Sequence, residues 1–130
     1  MGLAGIIGAV QAGAERIIAI DLNLNKFTIE KQLGATKCIN PSDHAAPVRE
    51  VLIELTDEGV DYSFECIGNV DVMRAALEAC HKRWGDPTII GVGGTKAIKA
   101  CFYALEINPS RWQVCCSDSP QDFLLARSDY

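Results

Sequence analysis

Arg16-Ile17-Ile18-Ala19-Ile20-Asp21 is the stretch on which the reading of the fold turns. It holds four consecutive apolar residues between a base and an acid. A strand with one wet face alternates apolar and polar residues. A strand apolar at every position is buried on both faces, as in a parallel sheet covered by helices. Upstream, residues 2–13 are apolar and small, with Gly2, Gly5 and Gly8 at a spacing of three. Glycine is a poor helix former, so a helix of this composition makes sense where it must lie very close to a sheet.

Downstream, helix and strand signals alternate. Asn23 or Asn25 can cap a short helix, Phe27, Glu30 and Leu33 share one face of it, and Gly34 suits its end. Lys37-Cys38-Ile39-Asn40 is a weak strand closed by Pro41. Pro47 suits a first helical turn, Val48, Val51, Leu52 and Leu55 fall on one face, and Asp57-Glu58-Gly59 ends that helix. Residues 60–66 read as a strand, Gly68-Asn69 as a turn, and Val72, Met73, Ala76, Leu77 and Cys80 as a helix face. Thr88-Ile89-Ile90-Gly91-Val92 follows Pro87 as a further strand, broken by Gly93-Gly94. Strands alternating with helices imply parallel crossovers, hence an α/β, Rossmann-like parallel sheet. Beyond Gly94 the pattern weakens. Ile98, Cys101, Phe102 and Leu105 suit a helix, residues 112–116 suit a strand, and the polar tail to Tyr130 reads as loose.

Asp21 carries the chemical signal. In a dinucleotide site a glycine turn lets the backbone approach the pyrophosphate at a helix N-terminus, and an acid about 20 residues on receives the ribose hydroxyls. Gly2 and Asp21 stand at that spacing. An acid there repels a ribose phosphate, which favours NAD over NADP. The plainer alternative is that Asp21 only terminates a strand. The fingerprint is incomplete, because Met1 immediately precedes what would be its last glycine. The sheet is therefore expected to lack its first strand and first phosphate glycines. In the order 3-2-1-4-5-6 that strand is central, and residues 112–116 are available to fill the gap. Lys26 offers a cation toward the ribose, or is simply a solvated helix lysine. Ile67-Gly68 and Ile90-Gly91-Val92 lie at strand carboxyl ends, where ligands sit in open sheets, or serve as ordinary turns.

Bulk properties exclude other classes. The 130 residues are 48% hydrophobic and 22% charged, with net charge -5 and a pI of about 4.9. With no basic cluster, nucleic acid is not an expected partner. No apolar run approaches the ~18 residues of a membrane span. The apolar start lacks the basic flank of a signal peptide, and Ile6 stands where myristoylation wants Ser or Thr. The six cysteines include no C-x-x-C pair. They read as reduced thiols of a cytoplasmic protein, with Cys66 and Cys80 in the core. His44 and His81 sit at no zinc-ligand spacing, and neither a metal site nor a catalytic constellation is found.

Residues Ile17-Ile18, Asp21, Asn23, Lys26-Phe27, Gly34-Ala35-Thr36 and Cys38-Ile39-Asn40-Pro41 together resemble one family, as do the runs Gly59-Val60-Asp61-Tyr62-Ser63-Phe64-Glu65-Cys66-Ile67-Gly68-Asn69-Val70 and Val72-Met73-Arg74-Ala75-Ala76-Leu77-Glu78-Ala79-Cys80-His81-Lys82. They are similar to the coenzyme domain of zinc-dependent medium-chain alcohol dehydrogenases. Within that family the resemblance is to class III, the S-(hydroxymethyl)glutathione or glutathione-dependent formaldehyde dehydrogenases. It runs from Gly2 to Val92 and fades after Gly93. It implies NAD-dependent oxidation of S-(hydroxymethyl)glutathione and of longer primary alcohols, a place in formaldehyde metabolism, a cytosolic dimer, and two zinc ions per subunit. By position it makes Gly2 the last fingerprint glycine, Asp21 the ribose acid and Lys26 the adenosine-side lysine. Ile67 and Gly68 then line the adenosine side, and Ile90, Gly91 and Val92 the strand end near the nicotinamide. The family's zinc ligands and proton relay match nothing in this chain, and its dimer strand is not recognised. The expected division is a partial NAD-binding domain at residues 1–93 and a divergent segment at 94–130, part helical and part disordered. The expected function is that of a class III fragment, inactive by itself. The alternative is a non-catalytic NAD-binding or subunit-interaction module. A methyltransferase, which also places an acid after its second strand, fits the Glu65-Cys66-Ile67-Gly68-Asn69 run less well.

Overall fold

A computed structural model describes residues 2–91, 113–117 and 122–127. Helix α1 (Gly2–Gln11) leads into β1 (Arg16–Ile20), followed by α2 (Phe27–Leu33), β2 (Lys37–Ile39), α3 (Val48–Thr56), β3 (Tyr62–Cys66), α4 (Val70–Ala79) and β4 (Asp86–Gly91). Two further strands are β5 (Gln113–Ser117) and β6 (Asp122–Arg127). The helix ends obey local chemistry. Gly34 closes α2 at φ 118°, while Gly34 N–H donates to Lys31 and Ala35 N–H to Glu30. This paired pattern needs a left-handed residue, which glycine adopts without a Cβ clash. Asn69 caps α4, its side-chain oxygen accepting from the N–H groups of Asp71 at 2.8 Å and Val72 at 3.4 Å.

The six strands form one sheet in the order β2-β1-β6-β3-β4-β5. The pairs β1–β2, β3–β4 and β4–β5 are parallel, as the alternating pattern implies. Successive side chains of β1 point to opposite faces, and each face has its own core. Ile18 and Ile20 pack with Ile39, Leu52, Val60, Ala76, Ala79 and Cys80. Ile17 and Ala19 pack with Ile6, Ala9 and Ala35. The uninterrupted apolar run of β1 is thus explained by helices on both sides. Three buried or part-buried polar side chains are tied down locally. Thr36 Oγ1 accepts from Ile17 N–H and donates to Ile17 O, each at 2.9 Å. Thr56 Oγ1 donates to Leu52 O at 2.6 Å. The Cys80 thiol donates to Ser63 Oγ at 3.0 Å.

The sheet departs from expectation at its centre. β6 lies between β1 and β3 and runs antiparallel to both. Ile20 and Glu65 each pair with Phe123, Cys66 pairs with Asp122, and Arg16 pairs with Arg127. The central position is therefore filled, and by a segment that reads as loose tail in the sequence. Asp122-Phe123-Leu124-Leu125-Ala126-Arg127 holds four apolar residues between two charges. That is the signature of a strand buried on both faces, hidden in a polar neighbourhood. Gln113–Ser117 does form a strand, but beside β4 rather than in the gap. The helix expected around Ile98 to Leu105 lies outside the described residues, as do Trp112 and Val92. The strand expected over 60–66 begins at Tyr62, with Val60 in an isolated bridge to Cys80. No helix among the described residues is long and apolar enough to cross a membrane.

Candidate functional site

Asp21 follows the last residue of β1, and its N–H donates to Ile39 O at 3.2 Å. Its carboxylate has two local partners. Oδ1 accepts from Asn23 N–H at 2.7 Å, and Oδ2 lies 3.0 Å from Lys26 Nζ. Asn23 in turn caps the short 3₁₀ turn Leu24–Lys26 through Asn25 N–H. The turn therefore aims Lys26 back at Asp21. Lys26 is neither a detached helix lysine nor an independent cation, since the pair forms one buried-side salt bridge with the Asp21 side chain 8% exposed.

Asp21 opens on a cleft of about 770 Å³ at the carboxyl ends of β1 and β3. Ile20 lines it from β1 and Leu22 and Asn23 from the turn after it, with Pro41 and Val48 on one side and Ile67, Asp71, Val72 and Ala75 on the other. The walls are apolar, with the polar groups concentrated at Asp21, Asn23 and Asp71. Such a cleft takes a flat apolar group and a hydroxylated one, and its acids accept hydrogen bonds from hydroxyls.

The loop after β3 is held by a buried acid. Glu65 is 0% exposed, and its Oε1 accepts from Ile67 N–H at 2.8 Å and Gly68 N–H at 2.7 Å. Burial pushes the Glu65 carboxyl above its ordinary range, opposed by the backbone N–H groups of Ile67, Gly68, Asn69 and Gly91. Gly68 takes φ 82°. A side chain on Gly91 would run into the Gly68 backbone and the Glu65 carboxylate, so β4 can approach this loop only because residue 91 is glycine.

The structure thus brings Asp21 and Ile67 to one cleft, with Lys26 paired to Asp21, and Gly68 and Gly91 to a close contact. Ile90 is half-buried beside Gly91, Gly2 is buried at the start of α1, and Val92 lies outside the described residues. Sequence reading missed Leu22, Pro41, Val48, Asp71, Val72 and Ala75 as lining residues and Glu65 as the anchor of the loop. Asp71 had a signal, as the acid two residues past a capping asparagine at a strand's carboxyl end. The remainder are ordinary apolar residues that only the fold brings together. Cys66 and Cys80 are buried free thiols, as expected. Burial pushes the Cys80 thiol up to about 12, with Ser63 opposing, and the Cys38 thiol up to about 11, reinforced by Glu30. Among the described residues no group of three or more His, Cys, Asp or Glu side chains is disposed to hold a metal ion.

The family model of zinc-binding dehydrogenases matches residues 1–121. S-(hydroxymethyl)glutathione dehydrogenase of Synechocystis is 61% identical over 94 residues, which is 72% of this chain and 26% of that protein. Alcohol dehydrogenase class-3 of Pisum sativum is 57% identical over 95 residues, 73% of this chain and 25% of that one. The chain spans about a quarter of the length of these curated relatives. Benzyl alcohol dehydrogenase of Acinetobacter calcoaceticus superposes with TM-score 0.69 at 25% identity, over 89% of this chain and 31% of that one. 2R,3R-butanediol dehydrogenase of Bacillus subtilis gives TM-score 0.71 over 92% and 33%, at 24% identity, a likeness of fold alone.

Proposed function

The chain belongs to the zinc-binding dehydrogenase family, and from that premise we propose that it is part of the coenzyme domain of a class III alcohol dehydrogenase. The whole protein would transfer hydride from S-(hydroxymethyl)glutathione or primary alcohols to NAD, as a cytoplasmic dimer. The observation that carries this reading is Asp21, an acid at the carboxyl end of a strand buried on both faces, opening on an apolar cleft. Asp21 would accept from the adenosine ribose hydroxyls, Lys26 would fix its carboxylate, and Ile67 and Gly68 would line the adenosine side. Ile90, Gly91 and Val92 would stand near the nicotinamide, and Gly2 would close the phosphate turn of the intact protein. Residues 1–93 make up the partial coenzyme domain in this reading, and 94–130 the divergent segment.

NAD supplies the hydride acceptor when bound. The cleft suits its adenosine half, whereas the central position from which a dinucleotide fold delivers its phosphate turn holds β6. No donor set among the described residues fits zinc, so no step is assigned to a metal here. The 130-residue chain by itself is expected to form no NADH from S-(hydroxymethyl)glutathione in the presence of zinc, and appreciable turnover would contradict this. The cleft is tested by titrating adenosine into the chain and its Asp21→Ala variant. Saturable binding lost in the variant supports the reading, and equal binding by both contradicts it. A second reading, a subunit-interaction module, draws on exposed Ile7, Val10 and Leu24. It requires the chain to co-elute with a full-length class III subunit in size exclusion.

A further inference from the structure

We infer that Glu65 is a positioning residue for the cleft, whose carboxylate holds the wall that carries Ile67, Asp71 and Val72 and ties that wall to the end of β4. The inference rests on the adenosine-cleft reading above and concerns what keeps the cleft in shape. One side of the cleft includes Ile20, the last residue of β1, whose backbone is fixed by pairing with β2. The facing wall of Ile67, Asp71, Val72 and Ala75 begins in residues 67–69, which connect β3 to α4. Backbone N–H groups turned inward in such a connection must find acceptors. Ile67 and Gly68 N–H donate to Glu65 Oε1 at 2.8 and 2.7 Å, and Asn69 N–H also faces the carboxylate. Asn69 passes the constraint on. Its Oδ1 accepts from Asp71 and Val72 N–H, and its backbone oxygen accepts from Met73 N–H at 2.8 Å. Three lining residues are thus reached from Glu65 through the backbone it holds.

The same carboxylate meets a second segment. Gly91 N–H faces it, and a Cβ on Gly91 would stand 2.7 Å from Oε2. Glu65 therefore sits between the adenosine wall and the strand end that the reading above sets beside the nicotinamide. An acid that is 0% exposed is costly in a strand unless its charge is hydrogen-bonded. An apolar side chain would meet the needs of packing alone. An ionised carboxylate offers two accepting oxygens and no donor, which suits N–H groups converging from both segments. Glutamine has the same shape but one accepting oxygen, and it would turn an amide NH2 against some of those donors. The acid is thus explained by what it holds, and what it holds is one side of the cleft.

The experiment is calorimetric titration of adenosine into the 130-residue chain and its Glu65→Gln variant, at a temperature where circular dichroism shows both folded, with amide hydrogen exchange on each. Glu65→Gln keeps the volume of the side chain, so a role in packing alone would leave the affinity of the folded variant unchanged. The positioning role predicts adenosine binding weaker by about tenfold, or about 1.4 kcal/mol. It also predicts faster exchange at Ile67, Gly68 and Gly91 together. A second measurement needs no variant and decides the matter whether or not Glu65→Gln folds. In the unaltered chain, adenosine is expected to slow exchange at Gly91, which is outside the cleft lining, along with Ile67 and Gly68. Equal affinity of the folded variant, or protection of Ile67 and Gly68 that leaves Gly91 unchanged, would overturn the inference and leave the cleft reading intact. Failure of adenosine to bind the folded unaltered chain would overturn both.

Discussion

Asp21 shows how much of a site one residue can organise. Its two oxygens orient Asn23 and Lys26, so an Asp21→Asn change removes the ion pair and loosens the turn that carries Lys26. Because the Lys26 end of the pair stays 26% exposed, the stability cost is on the order of 1 kcal/mol. If Asp21 accepts from a ribose as proposed, the larger effect is expected in ligand affinity. Glu65 is the opposite case, costly for stability and without a direct role in ligand contact. Glu65→Ala leaves the Ile67 and Gly68 N–H groups without their acceptor and is expected to cost about 1–3 kcal/mol in denaturant unfolding. Its pH signature follows from its raised carboxyl. The folded chain holds this proton more tightly than the unfolded one, so the stability it contributes is complete at low pH. That stability is lost as pH rises from the ordinary carboxylate range through the folded value. Glu65→Gln should flatten that part of the stability–pH curve, and an unchanged curve would contradict the assignment. The Cys80 thiol, pushed up to about 12, should resist alkylation at pH 8 in the folded chain and react after unfolding, as peptide mapping can show.

Among the elements, those with both a core pattern and a punctuating residue were legible in the sequence. α2 is legible because Gly34 ends it, α3 because Pro47 opens it, and β1 because its apolar run has no other explanation. Gly34→Ala tests that punctuation. It forces a side chain into a left-handed backbone at φ 118° and against Val10, and is expected to destabilise by about 1 kcal/mol or more. β6 was not legible. Its apolar quartet is short, and its place is set by a gap between β1 and β3 that only the assembled sheet reveals. The stretch that reads as a strand at 112–116 has the better composition, yet the strand observed there, Gln113–Ser117, lies at the edge beside β4 rather than in the gap. The cleft was half legible for the same reason. Asp21, Lys26 and Ile67 follow from spacing or resemblance, whereas Val48, Asp71 and Ala75 meet them only through the crossovers.

At the scale of the whole molecule, β6 joins two halves that otherwise share no strand pairing: β1–β2 on one side and β3–β4–β5 on the other. Ending the chain after residue 121 should therefore abolish cooperative unfolding rather than trim a loose end. Hydrogen exchange gives the same information without truncation. The amides of Leu124 and Leu125 should exchange as slowly as those of Ile18, their partner strand's centre, and exchange at tail rates would contradict the sheet order. The family assignment stands independently, resting on residues 1–121 and on relatives of which this chain spans about a quarter.

The central claim is that the carboxyl edge around Asp21 is an adenosine site. Its most direct test is amide chemical-shift mapping of the folded chain during titration with adenosine. Saturable shifts confined to Asp21, Leu22, Asn23, Ile67, Asp71 and Val72, and absent in Asp21→Ala, are the predicted result. The absence of shifts, or shifts centred elsewhere and indifferent to Asp21, would contradict it.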